Sequence, residues 1–380
     1  MPLNRYKQVS FGQLQSWAMQ GTRSWKTSRW IVCRRWIQIS ALAMLAAWLA
    51  FWDKTAGVQL VSRVELRLGF ADSTPAEIFL FWGLPTVGIA AVQLVCYSLD
   101  RAFLKQRWTT LDLLRLALWR TVSPTFPLLF LATGFSAFYD RRLIGILWLV
   151  MAAIVALAAM LRLRSAEGMK LQEVKGGELY KRAFVLAKVT KTPLERVYVV
   201  PAGRGHLTNA YAGAHTIAVT DNYGKFLTST QLDFVIGHEL GHSRGKHGQK
   251  KLVVTAAVVA IMAVACFSMS TFLSRYRPFL DVAIVFGPVL TFYFLSRRFE
   301  YAADAAGVEL TGSPMTAIQA LVNLYRTTEA PMDCDKLTEL FLTHPALTRR
   351  ARAIGERSGI SPDRVSGAIE DNELIKNSPD

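Results

Sequence analysis

Residues 235–248 read VIGHELGHSRGKHG. His238 and His242 stand four apart with Glu239 between them, so on a helix the two imidazoles share one face. HExxH on a helix offers two nitrogens to one metal ion and sets the carboxylate beside an open coordination position. Zinc in such a place lowers the pKa of water towards about 7, and Glu239 is then placed to take its proton. Chance matches in a chain of this composition number on the order of 0.003. The competing reading, two surface histidines on an ordinary helix, leaves the glutamate without a task.

A catalytic zinc takes three protein ligands, and the stretch itself does not supply the third. The metzincin pattern requires a histidine ten residues after His238, but position 248 is Gly, although Gly245 falls on that pattern's glycine. His247 comes one residue early and is expected to point away from the ion, as a helix-end residue in a favourable dipole. A carboxylate is the other candidate. In SRRFEYAADAAG (296–307), Glu300 and Asp304 stand four apart. Glu300 can complete a His2Glu site while Asp304 accepts a hydrogen bond from the far nitrogen of a ligand histidine. Alternatively, both carboxylates neutralise Arg297 and Arg298 near a membrane surface.

Around the motif the local signals are readable. Thr228 with Gln231 three residues on forms a capping box that starts the motif helix. Upstream, 171–190 reads as a helix stopped at Thr192-Pro193, RVYVV (196–200) as a strand, and LTNAYAG (207–213) and HTIAVTD (215–221) as two more. Downstream, a helix is expected near 296–311, a break at Gly312-Ser313-Pro314, a second helix to about 328, and shorter pieces around His344-Pro345.

The remaining sequence is membrane-like. Of 380 residues, 52% are apolar and 19% charged. Stretches free of Lys and Arg can be drawn at Trp36–Trp52, Ile78–Tyr97, Thr121–Tyr139, Leu143–Leu161, Leu252–Phe272 and Phe279–Leu295. A span needs roughly 20 apolar residues, which makes the first and last the shortest fits. Pro124 and Pro127 weaken the third and Asp281 the sixth, and the last pair can also be read as a buried hairpin dipping into the bilayer. Residues 1–35 carry seven Lys and Arg and no acid, which puts the N-terminus on the cytoplasmic side. Six spans then return both large polar segments to that side.

The net charge of +16 collects beside the spans, where the positive-inside rule and anionic lipid account for it, so nucleic acid is not an expected partner. Cys33, Cys96, Cys266 and Cys334 show neither a disulfide framework nor a cysteine metal site. The first apolar block begins near residue 36 and reads as an anchor rather than a cleaved leader.

HELGH, a two-span hairpin, SRxxExxAD (296–304) and THP (343–345) with an arginine downstream occur in that order. Over about residues 165–357 this resembles the membrane-embedded zinc metallopeptidases of the HtpX and CaaX-prenyl-protease type. The resemblance implies one Zn2+ per chain, held by His238, His242 and Glu300, with Glu239 as base and Asp304 behind a ligand. It further implies that His344 stabilises the oxyanion, and that Asn209, Ala210 and Tyr211 form an edge strand lining the substrate cleft, beside Arg350. An exposed strand can take up an extended peptide through backbone hydrogen bonds. Two departures stand out: four spans precede the catalytic segment where HtpX-like members commonly have two, and Ala351 follows Arg350 where a larger apolar residue is usual.

The expected fold is an α-helical integral membrane protein of about six spans, with a small α+β gluzincin-type zinc peptidase domain split by a two-span hairpin. Its expected parts are a basic cytoplasmic segment (1–35), a four-span region (36–161), a catalytic segment (162–250), the hairpin (251–295), a helical catalytic segment (296–370) and a disordered tail (371–380). The expected activity is zinc-dependent endopeptidase, acting on protein or peptide substrates within membrane-protein quality control, with its active site on the cytoplasmic side of a bacterial inner membrane. A CaaX-type prenyl-protein protease is the alternative. From another class, a transporter or non-catalytic zinc scaffold is disfavoured, because the spans hold little polar beyond Gln38, Gln93 and Asp281. A structural zinc also needs no glutamate base.

Overall fold

The computed structural model describes residues 74–103, 108–139, 142–166, 171–201, 209–213, 215–221, 223–268, 277–327, 332–334, 336–340 and 342–370, with Cys33, Trp36, Ile37, Ser40, Gln59 and Arg63 besides. The expected segments 1–35 and 371–380 and the span Trp36–Trp52 lie outside these, apart from the isolated positions named.

The chain divides into two compact units, Met1–Glu167 with Ala260–Val285, and Gly168–Val259 with Phe286–Asp380. Among its described residues the first holds α1 (Thr74–Phe103), α2 (Thr110–Tyr139) and α3 (Gly145–Ala166) in full. The expected stretches Ile78–Tyr97 and Thr121–Tyr139 lie within α1 and α2, and Leu143–Leu161 enters α3 at Gly145. α2 starts where Thr109 and Asp112 cap each other: Asp112 Oδ2 accepts from the Thr109 backbone N–H at 2.9 Å, and Thr109 Oγ1 accepts from the Asp112 N–H at 3.2 Å. Tyr97 of α1 packs on Leu113 and Ala117 of α2. At Gly145, an added Cβ would lie 2.7 Å from the Gly134 carbonyl, so α2 and α3 approach there as closely as backbones allow.

The second unit begins with β1 (Gln172–Val174), where a helix was expected, and α4 (Gly177–Val189) starts only after it. The double glycine explains the shift: Gly177 has φ +83, a turn that a continuous helix from 171 excludes. β2 (Arg196–Val200), β3 (Ala210–Ala212) and β4 (Thr216–Thr220) complete a sheet in the order β1-β2-β4-β3. β2 and β4 run parallel, with Val197 opposite Ile217. β3 and β4 are antiparallel, with Tyr211 opposite Ala218. Their turn closes with the Gly213 N–H donating to the Thr216 carbonyl at 2.7 Å, and a Cβ at Gly213 would overlap the Thr216 hydroxyl. β3 is thus an edge strand among the described residues.

After α5 (Tyr223–Phe226) comes the motif helix, α6 (Ser229–Arg244). Thr228 and Gln231 form the expected capping box, and Gln231 Oε1 also accepts from Asn323 Nδ2 at 3.2 Å. Such a cap stabilises by about 1 kcal/mol. Arg182 reaches Asp233 at 2.7 Å and ties α4 to α6. α6 is followed by α7 (His247–Ser268), α8 (Arg277–Thr311), α9 (Pro314–Thr327), α10 (Lys336–Leu340), α11 (Leu347–Arg357) and α12 (Pro362–Glu370).

Phe234, Ile236 and Leu240 of α6 are buried with Val197, Ile217 and Val219 of the sheet and with Ile318, Leu321 and Leu347. Burying one such side chain contributes about 1.5–3 kcal/mol, so the motif helix is held rigidly at the centre of this unit.

Two boundaries differ from expectation. α8 is one continuous helix where a span ending at Leu295 and a separate helix from 296 were expected, since nothing between Val289 and Ala306 breaks it. His247 opens α7 rather than closing the motif helix, so the helix dipole there is of the wrong sign to favour an imidazolium. Among the described helices one, α7, is long and apolar enough to cross a membrane, and Gly145–Ala158 of α3 is a shorter apolar stretch.

Candidate active site

The site forms where α6 and α8 touch. Gly237 and Gly241 lie on one face of α6, each one residue ahead of a motif histidine. A Cβ on Gly241 would lie 2.9 Å from Ala306 Cβ and 3.2 Å from Ala303 Cα, and one on Gly237 would lie 3.2 Å from Gly307 Cα. The two helices therefore meet through bare backbone and methyl groups. That closeness carries the side chains flanking the contact, His238 and His242 from α6 and Glu300 and Asp304 from α8, into one cluster.

His238 Nε2 and His242 Nε2 lie 3.2 Å apart. Glu300 Oε1 is 3.4 Å from His242 Nε2, and its Oε2 is 3.7 Å from His238 Nε2. Each ring's other nitrogen is occupied: His238 Nδ1 lies 3.0 Å from Asp304 Oδ1, and His242 Nδ1 lies 2.9 Å from His247 Nδ1. With its Nδ1–H donating a hydrogen bond to Asp304, neutral His238 presents a lone pair on Nε2 towards its neighbours.

This arrangement fits a metal ion. One ligand atom from each of His238, His242 and Glu300 lies within 4.8 Å of the others. Bonds of about 2.0–2.1 Å at tetrahedral angles place neighbouring ligand atoms about 3.4 Å apart. Glu300 Oε2 is buried without a well-directed hydrogen bond, although His344 Nδ1 at 2.9 Å and Arg350 Nη1 at 3.3 Å are close. Two imidazoles and a carboxylate are a donor set that zinc takes.

The electrostatics keep both acids charged. Burial works against ionisation of Glu300, yet Arg350, His242 and His344 hold its carboxyl well below the usual carboxylate range. Asp304, 2% exposed, is likewise opposed by burial but lowered by Arg350 and His238. Arg350 donates from Nε to Asp304 Oδ2 at 2.8 Å and from Nη2 to Oδ1 at 2.6 Å. It was expected beside the substrate cleft. It is buried, and its guanidinium reaches both acids, because two carboxylates this deep need a cation between them. Glu239 is buried too, and that burial raises its carboxyl while His238 and His242 pull it back.

Arg297 does not answer to Glu300. Its Nη1 donates to the carbonyls of Glu339, Leu340 and Leu342 at 2.9, 3.0 and 2.9 Å. Glu339 Oε1 in turn accepts from the Ala346 N–H at 2.9 Å, so the loop bearing His344 is pinned at both ends. His344 itself has a side chain 58% exposed.

Ser243 Oγ of α6 donates to the Gly213 carbonyl at 2.8 Å, holding the end of β3 beside the motif helix. Asn209 turns its backbone to β4, its N–H donating to Thr220 Oγ1 at 3.0 Å and its carbonyl accepting from the Thr220 N–H at 3.0 Å. Ala210 is buried and Tyr211 half-buried. Sequence reasoning missed the link from His247 to His242 and the part played by Gly237 and Gly241. The glycine spacing was a visible signal for the second.

A buried HExxH helix packed under a small mixed sheet, with a carboxylate brought to its two histidines from a later helix, defines a metalloprotease. Residues 174–358, which hold the whole cluster, match the model of Peptidase family M48. A protease HtpX homolog of Lactobacillus helveticus is 28% identical over 228 residues, covering 49% of this chain and 75% of the relative. One from Streptococcus thermophilus is 26% identical over 267 residues, covering 60% and 88%. The fold is similar to the crystal structure of S. mikatae Ste24p, with a TM-score of 0.62 at 19% identity over 93% of this chain and 91% of that one.

Proposed function

We propose that the protein is a membrane-embedded endopeptidase with one zinc ion per chain, held by His238, His242 and Glu300. The observation that carries this is the meeting of the two Nε2 atoms, 3.2 Å apart, over the Glu300 carboxylate. Zinc, when bound, polarises the scissile carbonyl and makes water a nucleophile near neutral pH. The chain supplies the rest. Glu239 takes the proton of the attacking water on its carboxylate and passes it to the leaving amine. Its raised affinity for protons, a consequence of burial, suits both halves of that transfer. Asp304, clamped by Arg350, keeps His238 in the tautomer that leaves Nε2 free. His344, on its pinned loop, donates to the oxyanion.

Substrate is taken up as an extended strand along β3, whose outer edge has no strand partner among the described residues. Backbone pairing tolerates many side chains, which suits a protease that clears unfolded membrane proteins. α7 supports membrane insertion. In this reading the chain crosses a bacterial inner membrane six times, with the catalytic segments 162–250 and 296–370 on the cytoplasmic side, as the basic residues 1–35 and the positive-inside rule suggest. The test is cleavage of an unfolded membrane protein by the purified chain, with and without zinc, beside a prenylated C-terminal peptide. Zinc-dependent cleavage of the first supports this reading, and cleavage of the prenylated peptide alone assigns the protein to CaaX processing instead.

A further inference from the structure

We propose that His247 is a positioning residue for the ligand His242, and that Gly245 is what admits it. The inference rests on reading the site as a metal centre. His242 Nδ1 and His247 Nδ1 lie 2.9 Å apart, so one proton sits between them. Were His247 the donor, neutral His242 would carry its own proton on Nε2. That nitrogen faces His238 Nε2 at 3.2 Å and Glu300 Oε1 at 3.4 Å, and a protonated Nε2 binds no metal. His242 is therefore the donor and His247 the acceptor. Metal-ligating histidines almost always give their second N–H to such a partner. Asp304 serves His238 in this way, and His247 does the same for His242 with a neutral ring.

The ring is held for the task. His247 is buried and stacks flat on Phe299, with centroids 4.3 Å apart and planes 2° from parallel. Lys246 turns the chain back with φ +49, bringing the first residue of α7 over the end of α6. A Cβ at Gly245 would overlap His247 Nε2 and lie 2.6 Å from its Cδ2. Gly245 itself has φ −73 and ψ −7, open to any residue, so the missing side chain is what counts there. The glycine that a metzincin would use on the way to its third histidine here makes room for a ring that holds the second.

The experiment measures zinc affinity of the full chain in detergent, by competition with a chromophoric chelator. His247→Phe keeps a flat ring on Phe299 but has no acceptor, whereas His247→Asn keeps an acceptor at the Nδ1 position but has no ring. His247→Phe and Gly245→Ala should each weaken zinc binding about 10–100-fold, and His247→Asn should stay within about threefold of wild type. A purely packing role reverses that order. Wild-type affinity in His247→Phe, or equal weakening in both His247 variants, overturns the proposal. A measurement independent of variants is 15N NMR of the histidine-labelled, zinc-loaded chain, where His242 Nδ1 should be protonated and His247 Nδ1 bare. A protonated His247 Nδ1 overturns the proposal, and a wild-type chain that binds no zinc overturns the metal reading along with it.

Discussion

Arg350 grips Asp304 through two nitrogens, at 2.8 and 2.6 Å, and a third nitrogen lies 3.3 Å from Glu300. A fork of that geometry fits one carboxylate and still spans to the next, which a lysine ammonium cannot do. Arg350→Lys should therefore lose the bidentate pair and leave Asp304 half satisfied in a buried place. The expected cost is about 3–5 kcal/mol in unfolding free energy, with weaker zinc binding through His238. Denaturant melts of the metal-free chain check it, and a loss below about 1 kcal/mol would show that Arg350 is dispensable to the acids.

The contact of Gly241 with Ala303 and Ala306 makes a second prediction. Gly241→Ala adds one methyl at 2.9 Å from Ala306 Cβ, in a helix interior where alanine is otherwise the better residue by about 1 kcal/mol. Steric separation of α6 from α8 should override that gain, moving Glu300 away from both imidazoles. Zinc content after gel filtration should fall while far-UV circular dichroism stays that of a helical protein. Full zinc content would mean the helices accommodate the methyl.

How far the sequence reached depends on the range of each cause. Thr228 and Gln231, three apart, announce α6 because a capping box is local, and RVYVV and TIAVT announce strands because their side chains are β-branched. Gln172–Val174 has no such signature; it is a strand because it pairs with Tyr198 and its neighbours, a relation across more than twenty residues. Likewise the HELGH and SRxxExxAD stretches point to a ligand set by residue chemistry. Nothing in either stretch says that Arg350 is buried between the acids, since that follows from where α11 packs. Small motifs disclose chemistry, and packing decides which charges face each other.

Glu239→Gln tests the base separately from the metal. The amide is nearly isosteric and leaves both imidazoles and Glu300 in place, so about one zinc per chain should remain. Peptide hydrolysis should fall by at least about 10²-fold, the low end of what a positioned general base contributes. Activity within tenfold of wild type would remove Glu239 from the mechanism.

The membrane arrangement is open to a labelling test. Single cysteines near positions 180 and 365, in a background lacking Cys33, Cys96, Cys266 and Cys334, should react with an impermeant maleimide only once the inner face is exposed. Reaction of one site from outside would give the segment Leu252–Leu295 an odd number of crossings.

The last prediction decides the third ligand within the cluster itself. His344 Nδ1 comes within 2.9 Å of Glu300 Oε2, so an alternative set of three imidazoles is geometrically near. Burial separates the two candidates: Glu300 is 5% exposed and fixed on a continuous helix, whereas the His344 side chain is 58% exposed on a loop. A ligand held by a rigid element keeps its distance without further ordering, and a charged one also neutralises the ion. Glu300→Gln should therefore lower zinc affinity by orders of magnitude. His344→Gln should retain the metal and lower kcat by about 10²–10³-fold with little change in KM, as for loss of an oxyanion donor. Both variants are compared for zinc retained against a mild chelator, then for turnover in zinc-buffered medium. Loss of metal from His344→Gln with retention in Glu300→Gln would exchange their roles, making the carboxylate the outer partner and the loop histidine the ligand.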